Sequence, residues 1–146
     1  MKKTFSALFV FLIIGLSVVM ASERPDVDPK ILSAFQKEFS FAKNAKWEVE
    51  GNLTRVSFLF NDQGVLAWYN SDAELVTTAR NIFYNQLPIS VIRTLEKRYA
   101  GADFFSITEV SRNNETYYQI RAGEKSKKFL LKASPSGNIA VLKKIR

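Results

Sequence analysis

The chain has 146 residues, with 21 Lys and Arg against 14 Asp and Glu for a formal net charge of +7, and it contains no Cys and no His. Without His, neither a Ser-His-Asp triad nor a Cys-His pair can be built from this chain alone, and the usual zinc sites lose their ligands. Disulfide frameworks are excluded as well, whereas an all-oxygen calcium or magnesium site is not. The length and the apolar content fit one domain whose core closes by packing alone.

Residues 1–21 have the composition of a secretory signal peptide. A short Lys-bearing start precedes an apolar run over residues 5–19, and Val19 and Ala21 supply small residues at a cleavage site. The run is shorter than the roughly 20 residues of a spanning helix, so cleavage after Ala21 is favoured over a retained anchor. No Cys follows the run, which excludes lipid attachment at a Cys. We expect one periplasmic or secreted domain over residues 22–146, without stable membrane insertion.

The first part of this domain, residues 28–82, predicts a helix followed by four strands. Asp28 and Pro29 form an N-cap and a proline at the first helical position, and apolar residues at helical spacing follow them. Turn-forming residues separate the β-rich stretches after the helix. The strands are expected over residues 45–50, 54–60, 65–69 and 74–78.

The second part, residues 86–146, follows the same order. Pro88 opens a helix that Gly101 ends, and four strands are expected over residues 104–110, 116–122, 127–133 and 139–145. The sequence therefore predicts an α+β fold of two tandem α-β-β-β-β repeats, with antiparallel sheets, helices packed on one face and the opposite face open. The two units could also join edge to edge into one long sheet.

Four parts of the chain carry a family resemblance: Pro29 and Pro88 at the helix entries, the stretch over residues 56–64, and its weaker echo over residues 117–137. In these parts and in its order of elements, the chain resembles the PepSY-like, or beta-lactamase-inhibitor-like, family of small exported bacterial proteins. The resemblance implies a non-enzymatic exported module, by analogy with inhibitor proteins whose sheet face binds an enzyme. It carries no binding residue over to this chain.

Carboxylates are the remaining acid-base candidates, and their pattern does not favour catalysis. Glu48 and Glu50 share one face of a strand, which is a common exposed arrangement. The turn over residues 61–64 lacks the further acidic ligands of a calcium loop. We therefore expect no catalytic residue, no metal site and no cofactor, and a protein that binds instead of reacting.

A binding surface is expected on the open face of the sheet. If Gly64 takes the left-handed position of a three-residue hairpin, Phe58 pairs with Trp68 and both point inward. The residues then expected to point outward and contact a partner are Arg55, Leu59, Tyr69, Tyr117, Arg121, Leu130 and Lys132. Aromatic residues and arginine dominate binding hot spots, although such residues can equally be cross-strand pairs that stabilise the sheet.

The basic excess is concentrated at the C-terminal end. From Arg121 to Arg146 there are eight basic residues and one acidic residue, and the rest of residues 22–146 is net negative. A basic patch is expected at Lys127, Lys128, Lys143 and Lys144. Export argues against nucleic acid, which leaves an acidic protein, an anionic glycan or a phospholipid surface as the partner. The same lysines could instead protect a sheet edge against pairing.

The leading functional hypothesis is a binding or hydrolase-inhibitor-like module whose partner is another exported protein. The alternative is a periplasmic binder of a small molecule or an anionic envelope polymer, which predicts a pocket between helices and sheet or salt-sensitive retention on the polymer. An enzyme is the weakest hypothesis, because it needs a cleft with perturbed carboxylates. The sequence leaves the oligomeric state open.

Overall fold

The computed structural model describes residues 26–124 and 127–145, so the expected signal peptide lies outside the described residues. Each helix has ten residues, and the strands have seven to ten. The elements are α1 Pro29–Glu38, β1 Lys43–Glu50, β2 Leu53–Phe60, β3 Gln63–Tyr69, β4 Leu75–Asn81, a 3₁₀ turn at Tyr84–Gln86, α2 Ile89–Arg98, β5 Asp103–Arg112, β6 Glu115–Glu124, β7 Lys127–Ala133 and β8 Ile139–Ile145.

All eight strands belong to one antiparallel sheet in the order β1 to β8. This finding corrects the predicted fold class: the fold is dominated by a single sheet and is not two tandem α-β-β-β-β repeats with helices packed on a face. The two halves are joined by the ladder between β4 and β5, which pairs Thr77 with Arg112 and Asn81 with Thr108, so they form the edge-to-edge sheet that the sequence left open. Backbone hydrogen bonds at a strand edge do not depend on the side-chain pattern, so the sequence did not specify this pairing.

Two hairpins of the sheet turn through consecutive residues with positive φ. The angles are 49° and 61° at Asn61 and Asp62, between β2 and β3, and 50° and 62° at Asn113 and Asn114, between β5 and β6. Two left-handed residues define a type I′ turn, whose twist matches that of the flanking strands, and Asn and Asp tolerate this conformation better than most residues. Both hairpins are therefore closed by two-residue loops.

With the two-residue loop, the β2–β3 register differs by three residues from the predicted one. Phe58 faces Val65 and not Trp68. Because successive side chains of a strand point to opposite faces, a shift by an odd number of residues transfers every side chain of β3 to the other face. Tyr69 is consequently buried, with an exposed fraction of 0%, and Leu66 and Trp68 lie on the side from which the sequence had excluded them.

Buried side chains form two clusters on one side of the sheet, which we call the core face. The first cluster contains Ile31, Phe35, Val56, Phe58, Ala67 and Tyr69. The second contains Ile82, Leu87, Val91, Leu95, Ile107, Tyr118, Ile120, Ala122, Leu131, Ala133 and Ile139. In the first cluster the ring of Phe35 meets those of Trp47 and Phe58 edge to face, with centroid distances of 5.1 and 4.9 Å. Such geometry adds to the stabilisation that burial provides.

A polar group of side chains lies where β4 meets β5 on the core face. Arg80 Nε donates a hydrogen bond to Glu109 Oε1 over 2.7 Å, and Arg80 Nη1 donates to Gln63 Oε1 over 3.3 Å. Burial, together with Glu109, raises the pKa of the neighbouring Tyr118. The two apolar clusters are thus joined by one sheet but separated by an ion pair.

Candidate partner-binding face

The side of the sheet opposite the core face is called the open face. Residues directly paired across antiparallel strands point to the same side, so rows of pairs can be followed from strand to strand. The central row of this face consists of Lys46, Ser57, Leu66, Ala79, Val110 and Tyr117. Its last four members, Leu66, Ala79, Val110 and Tyr117, are apolar or aromatic and follow one another over four strands. We call these four residues the apolar stripe.

A second row beside the stripe contains a neutralised cation and a half-buried indole. Arg55 forms ion pairs with Glu48 and Glu50 on β1, and its Nε lies 2.9 Å from Glu50 Oε1. The hydrogen bond to Glu48 raises the pKa of Arg55 above its usual value, and both carboxylates pair with its guanidinium. Trp68 lies directly across from Arg55 on β3. This part of the open face therefore offers an aromatic surface without a free charge on Arg55.

A depression of about 400 Å³ opens at one end of the stripe. Its open-face lining consists of Asn44, Lys46, Ser57, Leu59, Gly64, Leu66, Ala79, Asn81 and Thr108. Thr108 Oγ1 donates to Asn81 Oδ1 over 3.0 Å, which fixes one polar wall. Leu59 and Leu66 supply apolar walls, so the depression can receive a side chain of a partner. It lies on the open face and not between helices and sheet, where the small-molecule hypothesis placed a pocket.

At the other end of the open face, four cations surround Leu130. Arg121 on β6 and Lys143 on β8 are its partners across the strands, and Lys128 and Lys132 lie two residues away along β7 on the same side. We call Arg121, Lys128, Lys132 and Lys143 the cationic ring. Among the acidic residues whose side chains the structure describes, all of which lie within residues 26–123, none has a carboxylate within 4.0 Å of these four cations.

Lys132 and Tyr117 connect the ring to the stripe. The Nζ atom of Lys132 lies 4.2 Å from the centroid of the Tyr117 ring. A cation above the face of an aromatic ring is attracted by its quadrupole, which stabilises this arrangement. The stripe and the ring therefore form one contiguous surface over β3 to β8.

The open face receives most of the residues that the sequence had placed there. They are Arg55, Leu59, Tyr117, Arg121, Leu130 and Lys132. Tyr69 does not belong to it, because the two-residue turn places this side chain on the core face. There the Tyr69 hydroxyl donates to Glu38 Oε2 over 3.1 Å, and burial together with Glu38 raises the pKa of Tyr69.

The predicted basic patch is divided between the two sides of the sheet. Lys128 and Lys143 belong to the cationic ring on the open face. Lys127 is next to Lys128 in β7 and therefore points to the opposite side of the sheet. Lys144 is paired with Phe129, which packs against the core. Lys127 and Lys144 therefore lie on the core side, where they are exposed. The four lysines therefore do not form one patch.

Sequence reasoning missed Leu66, Trp68 and Val110 as members of the open face. The predicted three-residue loop places the first two on the core face. The dipeptide Asn61-Asp62 was the available signal, since both residue types tolerate positive φ at the two central positions of a type I′ turn. No comparable signal marked Val110, which is buried although it points to the open face.

Two further observations concern metals and membranes. In the part of the chain that the structure describes, no group of three or more acidic residues is positioned to hold a metal ion. In the same part, no helix is long and apolar enough to cross a membrane.

No family model matches the chain, and no curated protein matches it. Solved structures, however, share its fold. A DUF2874 family protein from Bacteroides uniformis ATCC 8492 has a TM-score of 0.72 at 16% identity, over 82% of this chain and 88% of that chain. A protein from Bacteroides eggerthii DSM 20697, described as a candidate periplasmic protein, has a TM-score of 0.71 at 18% identity, over the same shares of 82% and 88%.

A third similar structure is a BLIP-like protein from Bacteroides fragilis NCTC 9343. Its TM-score is 0.70 at 21% identity, over 81% of this chain and 84% of that chain. At these identities the likeness shows the fold alone. The fold is therefore beta-lactamase-inhibitor-like, and the comparisons do not support the PepSY-like part of the predicted resemblance.

Proposed function

We propose that this protein is an exported, non-enzymatic binding module that holds a partner protein, in the manner of a hydrolase inhibitor, against its open face. The observation that carries the proposal is the contiguous surface of the apolar stripe, Trp68 and the cationic ring. One side of the sheet is occupied by both buried clusters, and this surface lies on the other side. Aromatic and Arg residues of this kind are enriched among the residues that dominate binding energy.

The dimensions of the open face suit a protein partner. Eight strands spaced by about 4.8 Å span about 34 Å, and a seven-residue strand is about 24 Å long. The face therefore offers roughly 800 Å², which matches the area that each partner contributes to a standard interface. A small molecule would cover only the depression near Leu59.

The similar structures support an exported inhibitor-like role in two respects. One of them is described as BLIP-like and another as a candidate periplasmic protein. The signal peptide predicted over residues 1–21 agrees with the second description. A non-enzymatic role also agrees with the absence of His and Cys from the chain.

The test is affinity capture with purified residues 22–146 from the periplasmic fraction of the source bacterium, followed by binding measurements with the captured protein. Trp68→Ala should weaken binding at least tenfold, because a half-buried indole on the open face contributes more than about 1.4 kcal/mol as a hot spot. Ile89→Ser is the control, since Ile89 belongs to α2, on the other side of the sheet, and is 65% exposed. Equal affinities of wild type and Trp68→Ala, or loss of binding in Ile89→Ser, would contradict the proposal.

A further inference from the structure

The cationic ring is a compact arrangement of like charges. Strands are spaced by about 4.8 Å, and two residues along a strand cover about 6.8 Å, so all four cations have their Cα atoms within about 7 Å of that of Leu130. Like charges placed this close on one sheet face disfavour the fold. The other half of the open face shows the opposite arrangement, because Arg55 is neutralised there by Glu48 and Glu50.

Protection of a sheet edge does not account for the ring. Lysines on an edge strand discourage pairing with another chain, and this explanation suits Lys143 on β8. Arg121 lies on β6, whereas Lys128 and Lys132 lie on β7. Both β6 and β7 have a neighbouring strand on each side. Three of the four cations are therefore inside the sheet, where no strand edge needs protection.

From this geometry we infer that the cationic ring receives an acidic segment of the partner protein. The inference rests on the proposed function and specifies the partner's chemistry. Carboxylates of the segment pair with the four cations, and an apolar side chain between them covers Leu130, which is half-buried at the centre of the ring. Lys132, whose Nζ atom lies over the ring of Tyr117, directs the rest of the segment towards the apolar stripe.

An acidic protein segment fits this surface better than a polyanion does. A glycan or a phosphate polymer would pair with the cations but would leave Leu130 and the half-buried members of the stripe, Leu66, Ala79 and Tyr117, in contact with water. A peptide with an apolar residue between carboxylates satisfies both, because removal of apolar surface from water adds to the charge pairing. Binding should weaken with added salt, since exposed charges are screened over about 10 Å at 0.1 M ionic strength.

The probe is the acetylated peptide Glu-Glu-Leu-Glu-Glu, titrated into ¹⁵N-labelled residues 22–146 and followed by chemical-shift changes at β6, β7 and β8. Two companion peptides replace all Glu by Gln, or the Leu by Ser. We expect the acidic peptide to bind at millimolar concentration, with at least tenfold weaker binding of the Gln peptide and weaker binding of the Ser peptide. Absence of shifts at millimolar peptide would overturn the inference.

The chain offers a matched pair of variants for this test. Lys128→Gln/Lys143→Gln removes two cations of the ring, and Lys127→Gln/Lys144→Gln removes two from the same strands on the other side. The first variant should bind the acidic peptide about tenfold more weakly, and the second should bind it as the wild type does. Equal losses would show attraction by net charge alone and would contradict the inference, as would binding of heparin or phosphatidylglycerol vesicles through the ring without binding of the peptide.

The same variants separate this inference from the proposed function. If Trp68→Ala abolishes binding of the captured protein and Lys128→Gln/Lys143→Gln does not affect it, the open face binds a partner but the ring does not receive it. If neither variant affects binding, both proposals are wrong.

Discussion

Replacement of Gly64 by Ala distinguishes between the two registers of the β2–β3 hairpin. In the structure Gly64 lies within β3 opposite Leu59, its φ is outside the left-handed region, and a Cβ there would meet no atom within 4 Å. Ala should therefore raise the free energy of unfolding by about 0.4–1 kcal/mol, because it restricts the unfolded chain. In a three-residue loop Gly64 would have positive φ, and Ala would instead cost about 1–2 kcal/mol.

The change in free energy of unfolding that Gly64→Ala causes thus differs by about 2 kcal/mol between the two registers. The total free energy of unfolding of a domain is about 5–15 kcal/mol. Urea unfolding of residues 22–146, followed by Trp fluorescence, resolves such a difference if the slope with urea is unchanged. Gly137→Ala is the control, because Gly137 has φ of 90° and a Cβ there would lie 2.6 Å from the carbonyl oxygen of Ser90. A loss in Gly64→Ala comparable with that in Gly137→Ala would refute the register and the placement of Leu66 on the open face.

Three further predictions concern the core face and α1. Tyr69→Phe removes the hydrogen bond to Glu38 and should cost about 1 kcal/mol in urea unfolding near neutral pH. Because burial and Glu38 raise the pKa of Tyr69 above its unfolded value of about 10, the wild type should lose stability as the pH rises above about 10, and the variant should lose less; equal alkaline slopes would contradict this. Phe35→Ala should cost about 3–5 kcal/mol, whereas Phe41→Ala, at a residue 78% exposed, should stay within about 0.5 kcal/mol, and similar losses of thermal stability would count against the assigned core. Asp28→Ala should cost about 1 kcal/mol by removing the cap of the Lys30 amide, with Asp28→Asn retaining most of the stability in the same assay.

Most helices, strands and turns were predictable because they depend on local sequence. Asp28 and Pro29 mark the start of α1, and the Asp28 side chain accepts a hydrogen bond from the Lys30 amide over 2.8 Å. Gly101, predicted to end the second helix, has φ of 86° shortly after α2. These features need only a few neighbouring residues, so their physical causes are visible in the sequence.

The β2–β3 register was not predictable from hydrophobic alternation. Residues 65–69 are apolar or aromatic at every position, so either face of β3 could have been buried. The loop decides the register in this case, and the left-handed angles at Asn61 and Asp62 select two residues over three. The composition of the candidate site depends on this one loop, because the two-residue loop places Trp68 on the open face and Tyr69 on the core face.

The basic residues of the candidate site were found by counting, but their grouping was not. A count along the chain placed Lys127 and Lys128 together, whereas strand alternation points them to opposite sides of the sheet. Lys143 and Lys144 are divided in the same way, next to a register shift between β7 and β8. The cationic ring exists because β6, β7 and β8 bring cations from three strands around Leu130.

The order of strands in the sheet has a consequence for folding. Within the described sheet every strand pairs with its neighbour in the chain, and all ladders except β4–β5 join strands separated by short connections. The β4–β5 ladder must first close a loop that contains α2, and the entropy lost in closing a loop grows with its length. We therefore expect the amide protons of this central ladder to gain protection after those of the flanking hairpins, so that the middle of the sheet forms last and opens first.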